Sequence, residues 1–237
     1  LPARQFGRHT GRMAGGRSEL GLVTVRTDDG VEGHAFLGSS SRGANFDVAS
    51  LVKFLKPLVL GQNPLDRERL YQQMWARNRN TTLRCIGAID IALWDIAGKI
   101  AGLPIHRLLG SYRDAVAAYA SSAVLPSREA YAEEAARIKS EGFHAYKIHP
   151  PALWQEDIEI CRRVRNAVGA GYRLMLDSTW SYQYPEALRV GYALEELDYY
   201  WYEDPLGADD ITRYVKLRQK LRIPILGTEY APGGWQA

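Results

Sequence analysis

Ala145-Tyr146-Lys147-Ile148-His149, Arg173-Leu174-Met175-Leu176-Asp177, Tyr199-Tyr200-Trp201-Tyr202-Glu203 and Pro224-Ile225-Leu226-Gly227-Thr228-Glu229 are four short apolar runs, and each ends on a residue that can do chemistry. Continuous apolar runs of this length, bounded by amphipathic stretches, read as strands buried on both faces. A further run near Val116 extends the series, so strands are expected to begin near Val116, Ala145, Arg173, Tyr199 and Pro224, at steps of 25 to 29 residues. Between them Ile160, Val164, Ala167 and Val168 share one helical face, and Ala187, Val190, Leu194 and Leu197 share another.

Repeated βα units imply a parallel sheet covered by helices, either doubly wound or closed into a barrel. The placement of polar groups favours the barrel. A (β/α) barrel gathers its active site where the C-terminal ends of its strands converge, whereas an open sheet binds ligands at one switch point in strand order. Residues 113–237 hold only about five strands, roughly half of the ~250 residues a whole barrel takes. The strand ending at Glu229 would then be a long apolar edge. The expectation is that the polypeptide continues past Ala237 or that another chain completes the barrel.

Working back toward the N-terminus, the pattern changes. Leu20–Arg26 and Val31–Leu37 are β-prone runs joined by Thr27-Asp28-Asp29-Gly30, a hairpin signal. Three helical patterns follow, at about 47–60, 66–78 and 84–101. The third carries Ile86, Ile89, Leu93, Ile96 and Ile100 as a buried stripe and stops at Gly102-Leu103-Pro104. Residues 1–112 therefore read as an α+β domain and 113–237 as a partial barrel. Residues 1–19 are rich in Arg and Gly without periodicity and read as a loop.

With 237 residues and 46% hydrophobic content, the chain can bury a sizeable core. A net charge of +3, from 30 basic and 27 acidic residues spread along the chain, argues against a nucleic-acid surface. No apolar run approaches a membrane span and no signal peptide is evident, so the expected location is the cytoplasm. Cys85 and Cys161 fall on expected helices without metal-type spacing and read as buried thiols.

Asp177, Glu203 and Glu229 lie 26 residues apart in each case. On neighbouring strands they would crowd three negative charges together, at about 4 kcal/mol per pair for 4 Å and an effective dielectric near 20. Either their pKa values rise or a cation sits among them. Three carboxylates are hard oxygen ligands suited to Mg²⁺, and the His/Cys set preferred by zinc is absent. Lys147 and His149, two apart on a strand, point to the same face. A cation nearby would lower the lysine pKa toward the range of a general base.

Together with Ala88-Ile89-Asp90-Ile91-Ala92-Leu93-Trp94-Asp95-Ile96-Ala97-Gly98-Lys99, Leu108-Leu109-Gly110 and Trp201-Tyr202-Glu203-Asp204-Pro205, the ordered Lys-x-His, Asp, Glu, Glu series resembles the enolase superfamily in its mandelate racemase-like branch. The resemblance runs from about Leu22 to Glu229. It implies an N-terminal α+β capping domain and a (β/α)7β barrel, with Mg²⁺ on Asp177, Glu203 and Glu229. It also implies that His149, at the position that usually takes the proton, acts with Lys147, which helps hold the substrate carboxylate. The expected reaction is abstraction of the proton α to a carboxylate, first as dehydration of an acid sugar and alternatively as racemisation or epimerisation of an α-hydroxy acid. A third reading is a non-catalytic relative. The expected partners are a small carboxylate substrate and further copies of the chain in a homo-oligomer, with no nucleic acid and no membrane.

Three positions depart from the family pattern. His149 stands where many relatives carry Lys, Thr179 stands where Asn often follows the first ligand by two, and the later strands bearing a His–Asp dyad and a further Glu are not in this sequence. Loops at 1–16 and 38–45, with Arg4, Arg8, Arg12 and Arg42, would by the same resemblance close over the substrate. His9 reads as a solvated loop residue.

Overall fold

A computed structural model describes residues 19–38, 43–227 and 229. Arg4, Arg8, His9, Arg12 and Arg42, and with them most of both expected closing loops, lie outside the described residues. Contacts divide the chain after Ala115 into two compact units.

In the first unit, β1 (Gly21–Arg26) and β2 (Glu32–Leu37) pair antiparallel, with Leu22 opposite Phe36 and Thr24 opposite His34. The tight turn between them works because Gly30 takes φ +90° and donates its N–H to Thr27 O at 3.2 Å. Helix α1 (Asn45–Ser50) passes through a π-helical turn, Leu51–Leu55, into the short α2 (Lys56–Val59), where the periodicity anticipates one helix. Helices α3 (Arg67–Trp75), α4 (Leu83–Ala101) and α5 (Ile105–Leu108) follow.

Helix α4 organises this unit. Thr82 caps its start by accepting the Cys85 N–H, and Gly102 in the left-handed region ends it, with the Leu103 N–H on Gly98 O at 3.0 Å. Ile86, Ile89, Leu93 and Ile96 are buried as expected, whereas Ile100 is 49% exposed along an apolar groove beside β1. The hairpin lies so close to this helix that a Cβ on Gly33 would sit 1.9 Å from Ala92 O.

The second unit alternates strand and helix: β3 (Ala120–Ser121), α6 (Arg128–Ser140), β4 (Ala145–Ile148), α7 (Trp154–Val168), β5 (Arg173–Asp177), α8 (Tyr184–Glu196), β6 (Trp201–Glu203), α9 (Ile211–Lys220) and β7 (Ile225–Leu226). All five strands are parallel, and their order in the sheet is their order in sequence. That rules out a doubly wound sheet, in which the order reverses at a switch point, and matches one arc of a barrel. Side chains alternate across the sheet. Tyr146, Ile148, Leu174, Leu176 and Tyr202 join Ile160, Val164, Val190, Leu194 and Leu217 of the helices in one core, and Lys147, Met175, Asp177, Trp201 and Glu203 take the opposite face.

Strand limits differ from the sequence reading in three places. Val116 is 76% exposed, and pairing begins only at Ala120. Tyr199 lies outside β6 and is buried instead through its hydroxyl, which donates to Cys161 O at 3.1 Å. Strand β7 stops at Leu226, so the sheet edge is two residues of β-structure between Pro224 and Gly227 and not a long apolar strand. Both cysteines are buried and free. No helix among the described residues is long and apolar enough to cross a membrane.

Two expectations follow from this packing. Gly33→Ala should lower stability by at least about 1–3 kcal/mol, the usual range for overpacking, as read from urea unfolding, while Gly30→Asn, in open space but at φ +90°, should cost less, through backbone strain alone. Asp157 on α7 is fully buried and accepts the Tyr182 hydroxyl, and burial pushes its carboxyl up from 3.8 to about 7. The folded state therefore binds its proton more tightly than the unfolded chain does, so this group makes stability fall as pH rises from about 4 to 7. Asp157→Asn should flatten that slope, with up to about 4 kcal/mol between the two proteins' profiles.

Candidate active site at the strand ends

The register of the sheet sets the site. Asp177 and Glu203 are the last residues of β5 and β6 and lie directly opposite one another. Lys147 on β4 lies opposite Met175, one pleat below and on the same face. Its Nζ reaches both carboxylates, 3.2 Å from Asp177 Oδ2 and 3.0 Å from Glu203 Oε2. The residue is only 7% exposed, so a buried ammonium bridges two carboxylates.

Each group's charge is set by this arrangement. Burial pushes the Lys147 pKa down, but Glu203 and Asp177 outweigh it and hold it above the usual lysine value. Here the neighbouring carboxylates favour the charged lysine. Burial pushes the Asp177 carboxyl up, and His149 and Lys147 outweigh it to leave it at about 2.

His149 is held from several sides. Its Nε2 lies 3.0 Å from Asp177 Oδ2, and its Nδ1 lies 2.7 Å from Ser122 O. Its own N–H donates to Ser122 Oγ at 2.9 Å, and its carbonyl accepts the Tyr131 hydroxyl at 2.7 Å. Tyr131 in turn accepts the Leu125 N–H at 2.9 Å, and burial pushes its hydroxyl up to about 12, so it stays a donor. Both ring nitrogens face acceptors, and both bonds form together only in the doubly protonated ring.

Loop geometry completes the frame. Thr179 donates its N–H and its hydroxyl to Asp177 Oδ1, at 3.1 and 3.3 Å, so the residue standing in place of Asn still bonds the first carboxylate. Thr179, Trp180 and Asp204 all adopt positive φ, of 49°, 58° and 42°, directly after β5 and β6. Such backbone is strained for side-chain-bearing residues and clusters at functional sites. The Trp180 N–H donates to Asp204 O at 2.6 Å and ties one loop to the next.

Glu229 is placed differently from the other two acids. It lies three residues beyond β7 and is exposed, with its N–H 3.4 Å from Asp204 Oδ2. Thr228 beside it lies outside the described residues. The structure thus brings Lys147, His149, Asp177 and Glu203 together, and among the described residues no group of three or more His, Cys, Asp or Glu is close enough to hold a metal ion. Ser122, Tyr131 and Trp201, whose Nε1–H donates to Glu203 Oε2 at 3.1 Å, were not singled out from sequence. Ser122 and Tyr131 act on His149, 27 and 18 residues away in the chain, whereas Trp201 acts on Glu203 two residues on.

Comparison with known proteins places this geometry. Residues 5–110 match the family model described as Mandelate racemase / muconate lactonizing enzyme, N-terminal domain, and residues 130–237 match Enolase C-terminal domain-like. The chain is 31% identical over 232 residues to arabinonate dehydratase of Saccharolobus solfataricus, covering 92% of this chain and 61% of that one. It is likewise 31% identical over 229 residues to D-galactarolactone cycloisomerase of Agrobacterium fabrum, covering 91% and 60%. D-glucarate dehydratase from Agrobacterium tumefaciens, crystallised with magnesium, superposes with a TM-score of 0.82 at 33% identity, over 90% of this chain and 59% of that one. The chain thus spans about 60% of the length of these relatives. With family models over both units and a sequentially ordered parallel sheet, the chain belongs to the enolase superfamily, in its mandelate racemase-like branch, as an N-terminal α+β domain followed by part of a (β/α)7β barrel.

Proposed function

We propose that this protein carries the metal-side half of an active site that removes the proton α to a carboxylate, and that it dehydrates an acid sugar with Mg²⁺. The observation that carries the reading is the convergence of two strand-end carboxylates, Asp177 and Glu203, on one buried positive charge. The dehydratases and the cycloisomerase among the relatives support the substrate class, and the magnesium in the D-glucarate dehydratase structure supports the cation.

The residues present fit the cation in part. Asp177 and Glu203 are hard oxygen donors already gathered at a point where a cation is stabilised, and Glu229 is the third ligand in this reading. Bound Mg²⁺ would supply the charge that stabilises the negative charge developing on the substrate carboxylate. That contribution is needed, because a positioned base alone supplies only about 10² to 10⁴ in rate.

The chain's own residues do the proton chemistry. To act as the base His149 gives up its Nε2–H bond to Asp177: with Nδ1–H kept on Ser122 O, the neutral ring then carries its lone pair on Nε2, and this is the atom assigned to take the α-proton. Lys147, whose Nζ stands beside both carboxylates, is assigned to hold the substrate carboxylate. The C–H electron pair moves into the carboxylate as an enolate. It returns to form the double bond as the neighbouring hydroxyl leaves as water, taking the proton that His149 had received. The resulting enol tautomerises to a keto acid.

In proton NMR in D₂O across a panel of acid sugars with Mg²⁺, one substrate should lose water. Asp177→Asn should abolish that turnover and weaken Mg²⁺ binding at least tenfold by calorimetry. An Asn variant that keeps both would overturn the proposal, and exchange of the α-proton without loss of water would assign racemase or epimerase chemistry instead. Lys147→Met gives a second test. Removing the ammonium leaves two buried carboxylates uncompensated, which should lower stability at pH 7 by about 3–5 kcal/mol. That loss should shrink on adding Mg²⁺ at pH 7.

A further inference from the structure

We propose that Trp201 is the positioning residue for Glu203: its indole N–H pins one carboxylate oxygen and leaves the other for the cation. The inference rests on the Mg²⁺ reading above and deepens it. Trp201 and Glu203 are two residues apart on β6 and point to the same face. Cross-strand register puts Ser121, Lys147, Met175 and Trp201 in one row, with Asp177 and Glu203 in the row above. The indole is therefore part of the layer on which the carboxylates stand.

Its orientation is fixed from two directions. The ring meets Tyr119 edge to face, with centroids 5.5 Å apart and planes at 81°, a favoured aromatic geometry. From the other side Nε1–H donates to Glu203 Oε2 at 3.1 Å. Lys147 Nζ lies 3.0 Å from that same oxygen and 5.5 Å from the Tyr119 ring, so Tyr119 braces the indole and faces the ammonium at once.

The choice of donor matters chemically. An indole N–H donates and cannot accept, so it fixes a carboxylate without competing for the cation. Both described bonds to the Glu203 carboxylate end on Oε2, and Oε1 accepts from no described residue. Glu203 is thus offered as a one-oxygen ligand in a set orientation. Hydrogen bonds that orient ligating carboxylates are worth about 10- to 100-fold in metal affinity or activity.

Trp201→Phe keeps the aromatic contact with Tyr119 and deletes the N–H. Calorimetry should show Mg²⁺ binding about tenfold weaker than wild type, while the smaller phenyl ring at this half-buried position lowers the melting temperature by a few degrees. A readout free of metal accompanies it. Of the six tryptophans, the indole ¹H–¹⁵N signal missing from Trp201→Phe identifies Trp201, and that signal should move in Glu203→Ala. Wild-type Mg²⁺ affinity in Trp201→Phe, or a Trp201 signal that ignores Glu203→Ala, would overturn the inference alone. A wild-type protein that binds no Mg²⁺ while the signal still moves would overturn the functional reading, and this one with it.

Discussion

The buried Lys147 ammonium between Asp177 and Glu203 is the interaction on which the rest of the barrel unit depends. Two carboxylates at the ends of adjacent parallel strands repel one another in a setting where water does little to screen them. Pairing each with the same cation allows β5 and β6 to finish side by side on their acidic residues. Buried ion pairs seldom stabilise a fold beyond what apolar residues of the same size would achieve. Their retention here is understandable if the carboxylates serve a ligand, with the lysine holding their charges in balance.

Around that core the supporting bonds are nearly all local to the C-terminal ends of the strands. Thr179 holds Asp177, Trp201 holds Glu203, and Ser122 with Tyr131 holds His149. Each supporting residue sits on, or one turn from, an element packed into the helix-side core. The charged face is therefore positioned by the apolar one. Leu174, Leu176 and Tyr202 set the depth and register of the strands, and the alternation of the pleat does the rest.

Much of this was legible in the sequence because it rests on short-range periodicity. The apolar runs ending at His149, Asp177 and Glu203 marked strand ends. The α4 stripe and its Gly102 stop marked the main helix, and Asp29-Gly30 marked the hairpin. What could not be read depends on approach in space. Nothing near Ser122 in the chain indicates that its carbonyl meets His149, 27 residues later. The start of β3 was set four residues early because Val116 is β-prone, although pairing with β4 begins only at Ala120. Strand β7 is also shorter than its apolar run: its pairing with β6 ends at Leu226, where Gly227, a residue ill suited to strands, follows.

The hydrogen bond from the Trp180 N–H to Asp204 O joins two loops through main-chain atoms alone, each loop starting from a strained left-handed residue. A frame of that kind is indifferent to side-chain identity. Thr179 apart, whose hydroxyl also bonds Asp177, the tie between the two loops asks only for backbone that tolerates positive φ.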